Sequence, residues 1–219
     1  LWRSLRDNFG GHYGEAVPGF HPDELFEAIK LLKVRGAPAI GIFAGYSMYV
    51  LSLGIETENV STFLVRLKEY AAFLDSSRPT AVNLSMATKR IVGTAEEYKA
   101  LSVAEIKEKI KSTAIAIHKE DIEMCRKISE YGLTLVKDGY NILTHCNAGP
   151  LATSRYGTGL GTLMLGKEKG YTFHAFCDET RPLLQGARLT AYELDKAGID
   201  VTLICDEAAY SLCKSSSTF

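Results

Sequence analysis

Apolar residues recur every three to four positions in the first part of the chain, which is the spacing of one helix face. Leu25, Ile29 and Leu32 form one such stripe, and further stripes follow it. Proline and a serine–glutamate capping pair mark helix starts, because both suit the first helical turn. The predicted helices begin at Pro22, at Pro38, near Ser61, after Pro79 and at Ser102.

The pattern changes near residue 138. Three short apolar runs, at residues 140–144, 171–177 and 201–205, are each followed by a turn and a helical stretch. Strands that alternate with helices predict a parallel sheet built from β-α-β units. The sequence therefore predicts an α/β protein with a mainly helical domain over residues 1–137 and a parallel-sheet domain over residues 138–219.

The amino-acid composition argues against several classes of partner and location. The chain has 219 residues, of which 46% are apolar and 23% charged, an ordinary globular balance. A net charge of −1 gives no overall attraction for nucleic acid or an anionic membrane. The apolar stretch at residues 38–54 is too short for a bilayer and reads as a buried helix. Five scattered cysteines indicate reduced thiols, and no targeting signal is evident, so we expect a cytoplasmic protein.

Candidate chemistry follows the three predicted strands, because ligands bind beyond the carboxyl ends of parallel strands. Cys146 lies after the first strand, before a predicted helix whose N-terminus would favour a thiolate; the alternative is a buried core thiol. Asp206 follows the third strand and suits proton transfer; the alternative is a helix N-cap. The charged segment at residues 178–182 follows the second strand and is either part of a site or a salt-bridged loop.

Two loops of the helical part suit a phosphate. Arg35, Gly36 and Ala37 precede one predicted helix, and Arg78 precedes another. Each loop pairs a guanidinium with the free N–H groups of a helix start. Surface arginines in plain interhelical loops are the alternative. His12, His21, His118 and His174 show no metal-ligand spacing, so no metal site is predicted.

Four motifs in order make the chain resemble the methylthioribose-1-phosphate isomerases, a family related to regulatory subunits of translation initiation factor 2B. They are Arg35-Gly36-Ala37-Pro38-Ala39-Ile40-Gly41, Arg78-Pro79-Thr80-Ala81-Val82-Asn83-Leu84, Thr144-His145-Cys146-Asn147-Ala148-Gly149 and Asp178-Glu179-Thr180-Arg181-Pro182-Leu183-Leu184-Gln185-Gly186. The resemblance implies an N-terminal helical domain joined to a Rossmann-like parallel-sheet domain, here incomplete at its C-terminus, and a homodimer.

The resemblance also implies residue roles. Cys146 and Asp206 are expected to be catalytic, with Asp206 as a proton donor that a dry pocket keeps protonated. Arg35, Gly36, Ala37, Arg78 and Gln185 are expected to bind substrate. Where the family has Thr-Asp-Asn this chain has Cys205-Asp206-Glu207, and the second carboxylate is expected to raise the pKa of one of the two acids.

The implied activity is aldose–ketose isomerisation of a 5-substituted ribose 1-phosphate, foremost S-methyl-5-thioribose 1-phosphate in methionine salvage. Neither a metal nor a nicotinamide cofactor is required. One alternative is an isomerase of 5-deoxyribose 1-phosphate or a related pentose phosphate. The other is a non-catalytic regulatory subunit like those of initiation factor 2B.

Overall fold

The computed structural model describes residues 21–214, which divide into two compact units between Glu120 and Asp121. The predicted fold class, a helical part followed by a parallel sheet, is confirmed. A single long helix runs across the division. The predicted domain boundary after residue 137 lies a few residues past the end of that helix, and we keep it as a proposal.

Five helices build the helical part. They are α1 (Pro22–Lys30), α2 (Ala37–Leu53), α3 (Val60–Ser76), α4 (Val82–Glu97) and the long α5 (Val103–Leu133). The predicted capping box is present at the start of α5, where the Glu105 carboxylate accepts the Ser102 backbone N–H at 2.9 Å. At the start of α3 the Asn59 side chain accepts the Thr62 N–H at 2.9 Å. These caps satisfy backbone donors that a helix leaves unpaired.

Helix α2 forms the centre of this unit, which explains its lack of a polar face. Nearly all of its residues between Ala39 and Ser52 are buried. Gly41 allows close packing, since an added Cβ would lie 3.0 Å from the backbone oxygen of Asn83 in the first turn of α4. The prediction of a buried helix here is confirmed. Within residues 21–214, no helix combines the length and apolar character needed to cross a bilayer.

Three parallel strands form the sheet of the second unit, in the order β1 (Asn141–Thr144), β2 (His174–Asp178) and β3 (Asp200–Ile204). The pairing aligns Thr144 with Cys177, and Asp178 with Ile204, so the carboxyl ends share one edge. Strand β2 begins later than predicted, and before it the Thr172 N–H donates to the Asp138 carboxylate at 2.7 Å. The helices of this unit are α6 (Gly161–Glu168), α7 (Ala191–Lys196) and α8 (Ala208–Lys214).

Candidate functional site

Polar side chains gather at the edge where the three strands end. The ring Nδ1 of His145 lies 3.0 Å from a carboxylate oxygen of Asp178. Donor atoms of His145, Asp178 and Asp206 all lie within 4.8 Å of one another. The parallel sheet thus brings together residues that are as far as 61 positions apart in the sequence (206 − 145).

Thr180 connects the two predicted catalytic residues. The backbone N–H of Cys146 donates to its hydroxyl at 2.8 Å. The backbone N–H of Thr180 in turn donates to Asp206 Oδ1 at 2.8 Å. Thr180 lies within the charged segment that the sequence indicated, but no pattern singled it out. Its role depends on the loop conformation, which the sequence does not reveal.

The backbone is left-handed at two of these positions, with φ of 64° at Cys146 and 59° at Thr180. Such φ values cost a side-chain-bearing residue roughly 1–2 kcal/mol and persist only where neighbours enforce them. Here the enforcing contacts include the Thr180 bonds and a short bond from the Thr190 hydroxyl to the Cys146 carbonyl oxygen, 2.5 Å. Strain of this kind concentrates at functional sites.

A buried glutamate, Glu193, holds the segment that follows Cys146 through hydrogen bonds. Glu193 accepts the Asn147 amide N–H at 2.5 Å and the Leu151 backbone N–H at 2.5 Å. Asn147 also donates to the Thr190 hydroxyl at 3.1 Å. A carboxylate so placed fixes the turn through charge-assisted hydrogen bonds. Sequence reasoning missed Glu193, which occupies an ordinary helical position.

The turn predicted after Cys146 does not lead directly into the predicted helix. A short 3-10 turn at Pro150–Ala152 follows instead, and α6 begins only at Gly161. Between that turn and α6, Tyr156 and Gly157 adopt left-handed backbone conformations. The argument that a helix N-terminus activates the thiol was therefore wrong. Cys177, by contrast, is a buried core thiol, and burial raises its pKa to about 11.

Asp206 is not a helix cap. Its carboxylate accepts the backbone N–H groups of Thr180 and Arg181, at 2.8 and 2.9 Å, rather than those of α8. The Arg181 and Thr180 N–H bonds lower the pKa of Asp206, and the nearby His145 and Arg181 act in the same direction. The expectation that a dry pocket keeps Asp206 protonated was wrong, because hydrogen bonds to a partly exposed carboxylate favour its charged form.

The charged segment after β2 contributes a residue to the site and also contains an exposed ion pair. Asp178 is buried and faces His145, whereas Arg181 and Glu179 form an exposed ion pair with an N–O distance of 2.8 Å. Gln185 lies further along this loop, next to Gly186. The loop closes tightly on the strand end, since a Cβ at Gly186 would overlap the Asp178 carbonyl oxygen.

His145, Asp178 and Asp206 are also able to offer three ligands to a divalent metal ion. One oxygen of the buried Asp178 carboxylate has no hydrogen-bond partner. A nitrogen and two carboxylate oxygens suit several first-row metals. No sequence pattern indicated this cluster, because its members are spaced too widely along the chain to show ligand spacing.

The two arginine loops of the helical unit lead into adjoining helix starts. Gly36, with φ of 91°, is the residue before α2, and the first turn of α4 packs against Gly41 of α2. Arg35 and Arg78 are both partly exposed beside these starts. Two helix starts without a side-chain cap, each preceded within a few residues by an arginine, form a setting suited to an anion.

The sequence is similar to known proteins along most of its length. The sequence model of the Initiation factor 2 subunit family matches residues 33–215. The 5-deoxyribose 1-phosphate isomerase of Petrotoga mobilis is 52% identical over 194 residues, covering 89% of this chain and 56% of that protein. The methylthioribose-1-phosphate isomerase of Parabacteroides distasonis is 54% identical over 187 residues, covering 85% and 56%. This chain thus spans about half the length of the curated relatives it matches.

Solved structures also resemble the fold, and two of them are about 40% identical to this chain. The 5-methylthioribose 1-phosphate isomerase of Pyrococcus horikoshii OT3 has a TM-score of 0.83 and 39% identity, covering 90% of this chain and 55% of that one. The delta subunit of translation initiation factor eIF-2B from A. fulgidus has a TM-score of 0.79 and 41% identity, covering 90% and 58%. A protein named as an isomerase and one named as an initiation factor subunit therefore share this fold.

Proposed function

The chain belongs to the initiation factor 2 subunit family, and from this premise we propose that its protein is an aldose–ketose isomerase of 5-substituted ribose 1-phosphates. The observation that carries the proposal is the Thr180 bridge, which joins the backbone of Cys146 to the carboxylate of Asp206. A thiol and an acid held at one sheet edge provide the two kinds of group that the reaction needs.

The chemistry explains why two groups are needed. A sugar with phosphate on its anomeric carbon cannot open as a free hemiacetal does, so the ring oxygen must receive a proton as the ring breaks. In this proposal Asp206, whose charged form is favoured at rest, takes up a proton and delivers it to the ring oxygen. Hydrogen then moves from C2 to C1, and Cys146 either removes the C2 proton as a thiolate or stabilises a hydride shift. Neither route requires a metal or a nicotinamide.

Substrate binding in this proposal uses the remaining predicted residues. Arg35, Gly36, Ala37 and Arg78 bind the phosphate through guanidinium groups and helix-start N–H groups. Gln185 contributes an amide beside the sheet edge. We keep a cytoplasmic homodimer and a place in methionine salvage as parts of the proposal.

Two chemical identities are proposed for the group at position 5 of the substrate. Relatives named for methylthioribose 1-phosphate and for 5-deoxyribose 1-phosphate are 54% and 52% identical to this chain, so overall identity does not choose between them. The preferred substrate is S-methyl-5-thioribose 1-phosphate. A regulatory subunit is the second candidate, favoured by the likeness to the A. fulgidus eIF-2B delta subunit.

The test is an isomerisation assay on a panel of 5-substituted ribose 1-phosphates with the natural full-length polypeptide that contains this sequence. Cys146→Ser and Asp206→Asn are expected to lower kcat by roughly 10²–10⁴-fold. Cys213→Ser is the matched control, since Cys213 is an exposed cysteine in α8. Full activity in both site variants would refute the assigned roles, and no turnover of any substrate would favour the regulatory subunit.

A further inference from the structure

A chain of hydrogen bonds leads from the backbone of Cys146 to a buried carboxylate. The Thr190 hydroxyl donates to the Cys146 carbonyl oxygen at 2.5 Å. The Asn147 amide donates to the Thr190 oxygen at 3.1 Å and to Glu193 Oε2 at 2.5 Å. All three side chains are buried, with Thr190 0% exposed and Asn147 and Glu193 each 7% exposed. The cysteine of the proposed reaction is thus tied to a carboxylate that is shielded from solvent.

The chemistry of its two ends fixes the direction of every bond in this chain. A carbonyl oxygen only accepts, so the Thr190 hydroxyl gives its one hydrogen to Cys146. An ionised carboxylate also only accepts, so Asn147 presents an N–H group to Glu193. Turning the Asn147 amide over would place its oxygen against the Thr190 oxygen and leave both without a hydrogen between them. The chain therefore has one arrangement, and the Glu193 carboxylate sets it.

Glu193 also holds the far end of the turn that follows Cys146. Its Oε1 atom accepts the Leu151 backbone N–H at 2.5 Å. The turn passes close to the carboxylate at Gly149, where an added Cβ would lie 2.5 Å from Oε2. One side chain thus binds Asn147 and Leu151, on either side of that glycine. Because Cys146 has a φ of 64°, its backbone keeps this conformation only where such contacts enforce it.

The helical segment that carries these groups has an unusual start. Residues Gly186–Thr190 form a π-helical turn that runs directly into α7. Turns of this kind are rare and occur frequently at functional sites. Thr190 and Glu193 are three positions apart, so they lie on the same side of the segment. Both of them bind the turn that begins at Cys146, which makes this side of the segment its support.

We propose that Glu193, acting through Asn147 and Thr190, is a positioning residue that sets where the Cys146 thiol lies during isomerisation. The inference rests on the proposed isomerase function and deepens it. Glu193 orders the bonds that hold the Cys146 carbonyl and the turn after it. Placement of this kind matters because a displacement of about 1 Å in a reacting group is enough to lower a rate by roughly 10²-fold.

Four variants separate the bonds from the bulk of the side chains. Glu193→Gln keeps the size but replaces one accepting oxygen with an amide group, which would face a donor on whichever side it lies. Thr190→Val removes the hydroxyl between Asn147 and Cys146. Thr190→Ser keeps that hydroxyl and is the conservative variant. Asp195→Asn is the matched control, since it removes a carboxylate from an exposed position of the same helix.

The cysteines of this sequence make the test specific to one thiol. Alkylation by iodoacetamide is followed cysteine by cysteine, by mass spectrometry, in the natural full-length polypeptide and its variants. Cys205 and Cys213 are exposed and report the general rate of reaction. Cys125 and Cys177 are buried and report unfolding. The rate at Cys146 relative to these four then measures how firmly its turn is held, and the isomerisation assay measures kcat and KM separately.

In Glu193→Gln and Thr190→Val, alkylation of Cys146 is expected to be roughly tenfold faster, because its turn opens more often. In the same two variants kcat is expected to fall roughly 10–10²-fold while KM stays within about threefold of wild type. The other four cysteines are expected to keep their wild-type rates. Thr190→Ser and Asp195→Asn are expected to match wild type in alkylation and in kcat.

Three results would overturn the inference. One is wild-type kcat and wild-type alkylation of Cys146 in both Glu193→Gln and Thr190→Val, which leaves the isomerase function intact. Another is reaction of the buried Cys125 and Cys177 in both variants, since the bonds would then hold the whole unit rather than one thiol. The third is a wild-type polypeptide that isomerises no substrate, which removes the proposed function as well and is recognised without any variant.

Discussion

Replacing Thr180 by valine removes the hydroxyl that links Cys146 to the Asp206 loop and changes little else. Valine has nearly the same shape as threonine, so no cavity forms at this buried position. The Thr180 backbone N–H, which donates to Asp206, is retained. What is lost is the acceptor of the Cys146 N–H at 2.8 Å and a weaker bond from the hydroxyl to the Asp178 carbonyl at 3.3 Å.

The expected magnitude follows from leaving a part-buried donor unpaired. An unsatisfied buried N–H costs about 1–3 kcal/mol, so the free energy of unfolding should fall by about 2 kcal/mol. That is roughly a 30-fold change in the ratio of folded to unfolded protein. Because Cys146 is held in a left-handed conformation, losing this bond should also displace its thiol and lower kcat by roughly tenfold or more.

Urea denaturation followed by circular dichroism measures the stability, and the isomerisation assay measures kcat. Thr180→Ser keeps the hydroxyl and is the matched control, expected to remain within about 1 kcal/mol of wild type. A valine variant that matches wild type in both measurements would show that Thr180 is not the link between the two residues.

Three further predictions test other parts of the structure. Gly186→Ala should lower the free energy of unfolding by about 3 kcal/mol, because its Cβ would overlap the Asp178 carbonyl. Gly93→Ala should raise the free energy of unfolding by about 0.5–1 kcal/mol, because an added Cβ would have nothing within 4 Å. Urea denaturation measures both changes. Cys146→Gly should be more stable than Cys146→Ala by about 1 kcal/mol, since glycine tolerates a φ of 64°, while both lack isomerase activity; equal stability would contradict the strain. The pKa of Asp206 is lower folded than unfolded, so its contribution to stability is present above the ordinary aspartate range and is lost as pH falls through the folded pKa; acid titration of stability should show this loss in wild type and not in Asp206→Asn.

The sequence was sufficient for the order of elements and for the residues that end at the sheet edge. Helix starts at Pro22 and Ser102 were recognisable because proline and capping pairs act locally. Strand ends were recognisable because short apolar runs alternate with helical stretches. Since parallel strands align their carboxyl ends, placing Cys146 and Asp206 at one edge needed no further information.

The contacts that organise the site were beyond sequence reasoning. Thr180 and Glu193 act through bonds to residues 34 and 42–46 positions away, which no local pattern encodes. The protonated state expected of Asp206 was wrong, because that expectation assumed a dry pocket around its carboxylate. The largest influence on the pKa of Asp206 comes instead from two backbone N–H groups of another loop. Left-handed φ at Cys146 was equally hidden, since cysteine carries no preference for it.

The central claim, that Cys146 and Asp206 act as one unit on a sugar 1-phosphate, is tested most directly by a double-mutant cycle on kcat. The enzymes compared are wild type, Cys146→Ser, Asp206→Asn and the double variant, with S-methyl-5-thioribose 1-phosphate as substrate. The account predicts that the double variant is about as slow as the slower single variant, because residues of one catalytic unit are not additive. Losses that multiply, or a single variant with wild-type kcat, would contradict it.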